Sequence, residues 1–256
     1  MLQIDIADRI ATVTLDREDR RNALCEEMVD QFSAALESFR GVGVRCVVLR
    51  ARPGCKVWSA GHDINELPEA GHDPLAWRDP LRKLIREIES FPAPIIAMIE
   101  GSVWGGACET VFACDLIIAA DNAQFSDPVL AMGICGVELH AHTWEFGPRK
   151  AKELLFTGDA ITAEQAERLG MVNHVVPLDQ LVPETIALAQ RIAKKDAFAL
   201  RMAKRAVNQT LDIQGYTNSI DAIFDMHHFG HARAALVTGG IPSLAGLGAM
   251  KAKGKG

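Results

Sequence analysis

The sequence predicts an α/β fold, and three observations carry that reading. Short apolar runs alternate with helical periodicities through about residue 175, glycine-rich turns separate the two, and everything beyond Pro177 has helical spacing alone. With 48% hydrophobic and 23% charged residues, the 256-residue chain sits close to the globular average, which excludes disorder and collagen-like repetition. A chain of this length buries roughly 75% of its unfolded surface, so its core needs neither disulfides nor structural metal.

Residues 3–6 and 10–15 alternate apolar and polar side chains around Asp8, the pattern of a β-hairpin. Over residues 26–40, Met28, Val29, Phe32, Ala35, Leu36 and Phe39 recur at helical spacing. Residues 46–49 form a short apolar run suited to a buried strand. Residues 51–71 are rich in Gly, Pro and charge and read as a long loop with a turn of helix at 64–67; long loops in compact domains tend to carry function. An amphipathic helix is expected at 81–91, a strand at 94–99, a glycine-rich turn into a helix at 101–106, a strand at 116–119 and an extended piece at 123–126. Residues 162–169 open with Thr162 followed by Gln165, a capping-box signature, and Gly170 ends the helix. Helices are expected at 178–195, 197–211 and 216–236.

A formal charge of −6 gives no net basic excess to displace counterions from nucleic acid, although Arg20 and Arg21 form a local basic spot suited to a small phosphorylated ligand. The six cysteines include no CxxC pair and read as reduced thiols of a cytoplasmic protein. The first residues show an early acid and alternation rather than the basic and apolar blocks of a signal peptide. No apolar run approaches the roughly 18 residues of a membrane span.

Two segments carry the candidate chemistry, KVWSAGHDI at 56–64 and EGSVWGGACE at 100–109. Both place small residues where backbone must approach something closely. The second leads into a helix N-terminus, whose unpaired N–H groups favour negative charge. Two amides converging from such loops would form an oxyanion hole.

With RRNAL at 20–24, CDLIIAA at 114–120 and FTGDAITAEQAERLGMVNHVV at 156–176, these segments resemble the crotonase (enoyl-CoA hydratase/isomerase) superfamily over residues 3–240. SAGHDINELP, the DPL at 73–75 and GSVWGGA resemble its methylmalonyl-CoA decarboxylase subgroup more than a mitochondrial-type hydratase, a local similarity that weakens after residue 126. The resemblance implies a spiral of ββα units, with an acyl-CoA-binding core over 1–195 and a helical trimerisation region over 196–250, assembled as a homotrimer or hexamer. It implies a coenzyme A thioester as substrate and no separate cofactor. The backbone amides of His62 and Gly106 would hold the thioester oxygen, each such donor being worth about 3–4 kcal/mol in the transition state. Arg21 and Lys56 would meet the coenzyme phosphates, and the backbone at Ala23, Ala60, His62 and Ile64 the rest of the coenzyme. The imidazole of His62 has no assigned proton-transfer role.

Hydration in this family uses two glutamates about one water, one taking a proton while the other gives one. The first matches Glu109; the second falls at Val129, which transfers no proton. Glu138 is the candidate substitute, five residues after Gly133. Hydration with one carboxylate, isomerisation using Glu138, and decarboxylation all remain compatible. The decarboxylase's pocket tyrosine would fall near Gly136, whereas the one tyrosine is Tyr216. The leading expectation is an enoyl-CoA hydratase acting in fatty acid metabolism. From another class, a silent thioester-binding or RNA-binding relative is the alternative, and the acidic charge argues against RNA.

Plainer readings stand beside these. A glutamate in a first helical turn stabilises the macrodipole by about 0.3–1 kcal/mol without any chemistry. His140 with His142, His62 with His72, and His227, His228 and His231 have spacings that suit metal ligation, but no carboxylate accompanies them in an open-site pattern, so no metal is expected. Ser59, His62 and Asp63 hold the residue types of a hydrolase triad, crowded into five positions and without a GxSxG elbow.

Overall fold

Strands β1 (Leu2–Ala7) and β2 (Ile10–Leu15) pair antiparallel through a two-residue turn in which Asp8 and Arg9 both have positive φ, the turn whose twist matches that of the strands. The computed structural model describes residues 1–67, 78–134 and 139–238. Helix α1 (Glu26–Val42) buries the six apolar residues whose spacing predicts it, and ends at Gly43 with φ +73.

From there the chain repeats a ββα unit. The units are β3 (Cys46–Ala51), β4 (Val57–Ser59) and α2 (Pro80–Ser90); β5 (Ile95–Ile99), β6 (Ser102–Trp104) and α3 (Gly106–Phe112); and β7 (Leu116–Ala120), β8 (Gln124–Ser126) and α4 (His142–Thr157). The first strand of each unit joins one sheet and the second joins another. With β9 (Ile161–Thr162) and β10 (His174–Val176), the sheets read β1-β2-β3-β5-β7-β10 and β4-β6-β8-β9. This is the expected crotonase-like spiral. Its core is continuous, because the inner face of the large sheet, α1, α2 and α3 all contribute to one buried cluster.

Helix α5 (Ala163–Leu169) has the capping box that Thr162 and Gln165 predict, with both reciprocal hydrogen bonds present. Helices α6 (Leu181–Ala193), α7 (Ala197–Ile213) and α8 (Tyr216–Thr238) form the helical C-terminal region. α6 seals the outer face of the large sheet through Leu181, Ala189 and Ala193. α7 fully buries no residue; it is held by Lys204, which donates to the Asp115 carboxylate at 2.7 Å and to Ile88 O at 2.9 Å.

Three local expectations need correction. The helical turn expected at 64–67 is a single turn at Ile64–Asn65, closed by Glu66 N–H donating to Asp63 O at 2.9 Å and braced by the Asp63 carboxylate, which accepts the Asn65 N–H. The loop readings at 51–71 and 101–106 miss β4 and β6, which are three residues each and too short to show a period. The expected helix at 178–195 is a 3-10 turn, Leu178–Gln180, followed by α6.

Candidate active site

Residues 57–61 run between two neighbours. On one side β4 pairs with β6; on the other, Ala60 N–H donates to Arg21 O at 2.9 Å and Leu24 N–H donates to Gly61 O at 2.8 Å. Asp63 N–H returns to Leu24 O at 2.8 Å, completing a parallel bridge between Leu24 and His62. In that pattern the N–H of His62 points away from Leu24, toward the side where β6 runs into α3.

Gly61 makes this possible. Its φ is +86, and a Cβ there would lie 2.7 Å from Trp104 O and 2.9 Å from Gly106 N. The segment carrying His62 is therefore in direct contact with the N-terminus of α3. Gly105, with φ +53, turns the chain into that helix, and Gly106 is its first residue, whose N–H has no partner within the helix. The two glycine-rich loops converge as their composition predicts.

Glu109 lies in the first turn of α3 and is 0% exposed. Its Oε2 accepts the Leu139 N–H at 2.8 Å. Burial, with Asp127 and Glu109 nearby, pushes the adjacent Cys108 thiol far up, so it stays protonated. Val129 is buried with Ile134 and Ala234, so the position of the second family glutamate is apolar wall. Glu138 lies outside the described residues, as do His72 and Gly136.

The support beneath the loop centres on Arg17 and Asn22, to which sequence reasoning assigned no role. Asn22, fully buried with φ +51, accepts the Arg17 N–H at 2.8 Å and donates to Trp58 O at 3.0 Å, while Ser59 Oγ donates to Asn22 O at 2.7 Å. Arg17 donates to Ala23 O at 2.9 Å and to the Asp63 carboxylate at 2.7 Å. Burial works to raise the Asp63 carboxyl, but the bonds from Arg17 and Asn65 outweigh it and hold the group below the usual carboxylate range. Ser59 and Asp63 are thus engaged with Asn22 and Arg17, which disposes of a hydrolase triad. The signal in the sequence was the Arg21-Asn22 pair, where two successive left-handed residues form a tight turn.

Of the coenzyme candidates, the Arg21 and Lys56 side chains are exposed, and Ala23, Ala60 and Ile64 are partly buried along the same edge of the chain. The main chain of Ala23 already serves the loop, since its N–H donates to Arg20 O at 3.1 Å. Among the described residues, no group of three or more His, Cys, Asp or Glu is arranged to hold a metal, and no helix is long and apolar enough to cross a membrane. A carboxylate does accompany one of the histidines: His142 Nε2 stands 3.0 Å from Asp127 Oδ2, both buried. A separate cavity of about 220 Å³ between β1, β2, β3 and α6 shares no residue with either loop.

Comparison with known proteins agrees with this geometry. The sequence profile described as enoyl-CoA hydratase/isomerase matches residues 5–236. Methylmalonyl-CoA decarboxylase of Escherichia coli is 42% identical over 199 residues, covering 77% of this chain and 76% of that protein. The crystal structure of a probable enoyl-CoA hydratase from Mycobacterium thermoresistibile is 46% identical with a TM-score of 0.86, covering 94% of this chain and 98% of that one. A methylmalonyl-CoA decarboxylase in complex with 2-nitronate-propionyl-CoA superposes with a TM-score of 0.78 at 34% identity, covering 92% and 95%. Two loops joined at Gly61 and Gly106, a buried carboxylate one turn into α3 and a profile match over nearly the whole chain have one common explanation: this is an enzyme of the enoyl-CoA hydratase/isomerase family.

Proposed function

We propose that the enzyme adds water across the double bond of a 2-enoyl-CoA thioester in fatty acid metabolism. The observation that carries this reading is the contact of the Gly61-His62 segment with the N-terminus of α3, with the buried Glu109 carboxylate one turn further in. The amides of His62 and Gly106 form an oxyanion hole for the thioester oxygen, the position at which negative charge develops when the β carbon is attacked. Glu109 takes a proton from the attacking water, whose oxygen bonds to the β carbon. The α carbon then takes a proton, from Glu109 itself or from Glu138.

The coenzyme is part of the substrate and no resident cofactor is involved. Arg21 and Lys56 bind its phosphates, with the backbone at Ala23, Ala60, His62 and Ile64 along the remainder. Assembly is a homotrimer, or a hexamer of two, through the region 196–250 beyond the acyl-CoA-binding core. The exposed apolar side chains Phe198, Val207, Ile213, Phe229 and Leu236 on α7 and α8 support it. The five described cysteines are free and buried, in keeping with a reducing cytoplasm.

Decarboxylation of a malonyl-type thioester is the second reading, favoured by the apolar wall at Val129 and the 42% identity to a named decarboxylase. There the bond from the α carbon to the carboxylate breaks, its electron pair passes to the thioester oxygen, and carbon dioxide leaves. That step needs the oxyanion hole and a desolvating pocket but no second glutamate. Glu109→Gln separates the two: it keeps the acceptor for Leu139 and the helix intact, lowers hydration by about 10²–10⁴-fold, and leaves carbon dioxide release within tenfold. Glu138→Gln, assayed alongside, reads whether the second proton passes through that residue.

A further inference from the structure

The Asp127 and His142 side chains, adjoining the catalytic wall, are used by no step above. Asp127 directly follows β8 and His142 is the first residue of α4; they are 4% and 1% exposed, with Nε2 3.0 Å from Oδ2, a close contact outside hydrogen-bond geometry that becomes an ion pair when His142 is protonated. Two elements tie His142 to Glu109. The His142 ring packs edge-on against Phe112, 5.3 Å between centroids, and Phe112 is three residues beyond Glu109 on α3. Along the chain, Ala141 N–H donates to Leu139 O at 2.9 Å, a tight turn, and Leu139 N–H donates to Glu109 Oε2. His142 thus anchors the far end of a three-residue segment whose near end holds the carboxylate.

We infer that Asp127 and His142 form a positioning dyad for Glu109, holding residues 139–141 so that the Leu139 amide fixes one carboxylate oxygen. The inference rests on the reading of Glu109 as acid/base. An apolar residue at 142 would keep α4 packed, but nothing would draw its first turn to Asp127. The spacing at issue is small, and a displacement of about 1 Å at such a group costs on the order of 100-fold in rate. A donated N–H also favours the ionised carboxylate, so loosening it raises the proton affinity of Glu109. Among the described residues, the other titratable groups at this wall are Cys108, kept protonated by burial, and His140, whose ring lies 5.3 Å from that of His142 and which burial and His142 together hold below its usual range.

The test follows Glu109 directly. In protein labelled with carboxyl-¹³C glutamate, its signal is assigned by its loss in Glu109→Gln and titrated in wild type, His142→Phe and His142→Gln. The phenylalanine variant is expected to raise the Glu109 midpoint by about one pH unit and to lower kcat about 10- to 100-fold with KM within twofold. Glutamine, which still offers an N–H to Asp127, recovers most of both. If His142→Phe gives no folded protein, Asp127→Leu, which keeps the side-chain volume and removes both acceptor oxygens, is expected to show the same shift. A folded variant with the Glu109 midpoint and kcat unchanged overturns the dyad. Wild-type protein that turns over neither crotonyl-CoA nor methylmalonyl-CoA would overturn the proposed reactions, while the titration still decides the dyad.

Discussion

Gly61 and Gly106 stand so close that a methyl group on Gly61 would lie 2.9 Å from the Gly106 nitrogen and 2.7 Å from Trp104 O. Both obstacles are backbone, which cannot swing aside as a side chain would. The left-handed φ of +86 adds strain for any L side chain.

Gly61→Ala is accordingly expected to part the two loops. Turnover should fall by about 10²–10³-fold, the cost of one lost oxyanion donor, with stability lower by about 1–3 kcal/mol. Steady-state kinetics and urea unfolding on the same preparation check both. A variant with wild-type kcat would mean that the two amides do not act together.

Asn22 joins two segments of the loop support, Arg17 on one side and the β4 residues Trp58 and Ser59 on the other. Asn22→Ala removes two side-chain hydrogen bonds from a fully buried position and leaves a β-carbon-only residue at φ +51. A loss of about 2–3 kcal/mol is expected in chemical unfolding, together with a raised KM, because the same turn sets Arg21 and Ala60. Loss of less than about 0.5 kcal/mol would show that the turn holds without its side chain.

Glu145, one turn into α4, has its carboxyl pushed up to about 7 by burial. In the unfolded chain it titrates near the ordinary glutamate value, so between that value and about 7 the folded state binds more protons and loses stability as pH rises. Glu145→Gln removes this dependence. Its Tm should exceed that of wild type by an amount that grows from near zero below pH 4 to a plateau above pH 7, equivalent to roughly 3 kcal/mol. A difference constant across that range would contradict the assignment.

The parts of the fold that announced themselves were those with a repeating physical cause. The hairpin of β1 and β2 alternates, α1 shows six apolar residues at helical spacing, and Thr162 with Gln165 forms a cap that needs only local sequence. β4 and β6 escaped because three residues in a glycine-rich stretch carry no period. α4 was not read because Gly147, with φ +70 and ψ +163, and Pro148 interrupt its pattern; its halves are continuous only in space. At the site, Gly61, His62, Gly106 and Glu109 were legible as a set because five motifs fall in family order. The pairing of Asp127 with His142 was not, since 15 residues and a change of element separate them and neither has a motif. Asn22 lies in the RRNAL motif, but its supporting role was hidden because its partner Trp58 is 36 residues away.

The central claim, that two backbone amides and Glu109 act on an acyl-CoA, is tested most directly by incubating purified enzyme with crotonyl-CoA and, separately, methylmalonyl-CoA, following enoyl absorbance and product mass. The account predicts loss of enoyl absorbance with a gain of one water, abolished by Glu109→Gln. Carbon dioxide release from methylmalonyl-CoA with crotonyl-CoA untouched would contradict the hydratase reading and leave the oxyanion hole serving decarboxylation; inertness toward both would contradict the account as a whole.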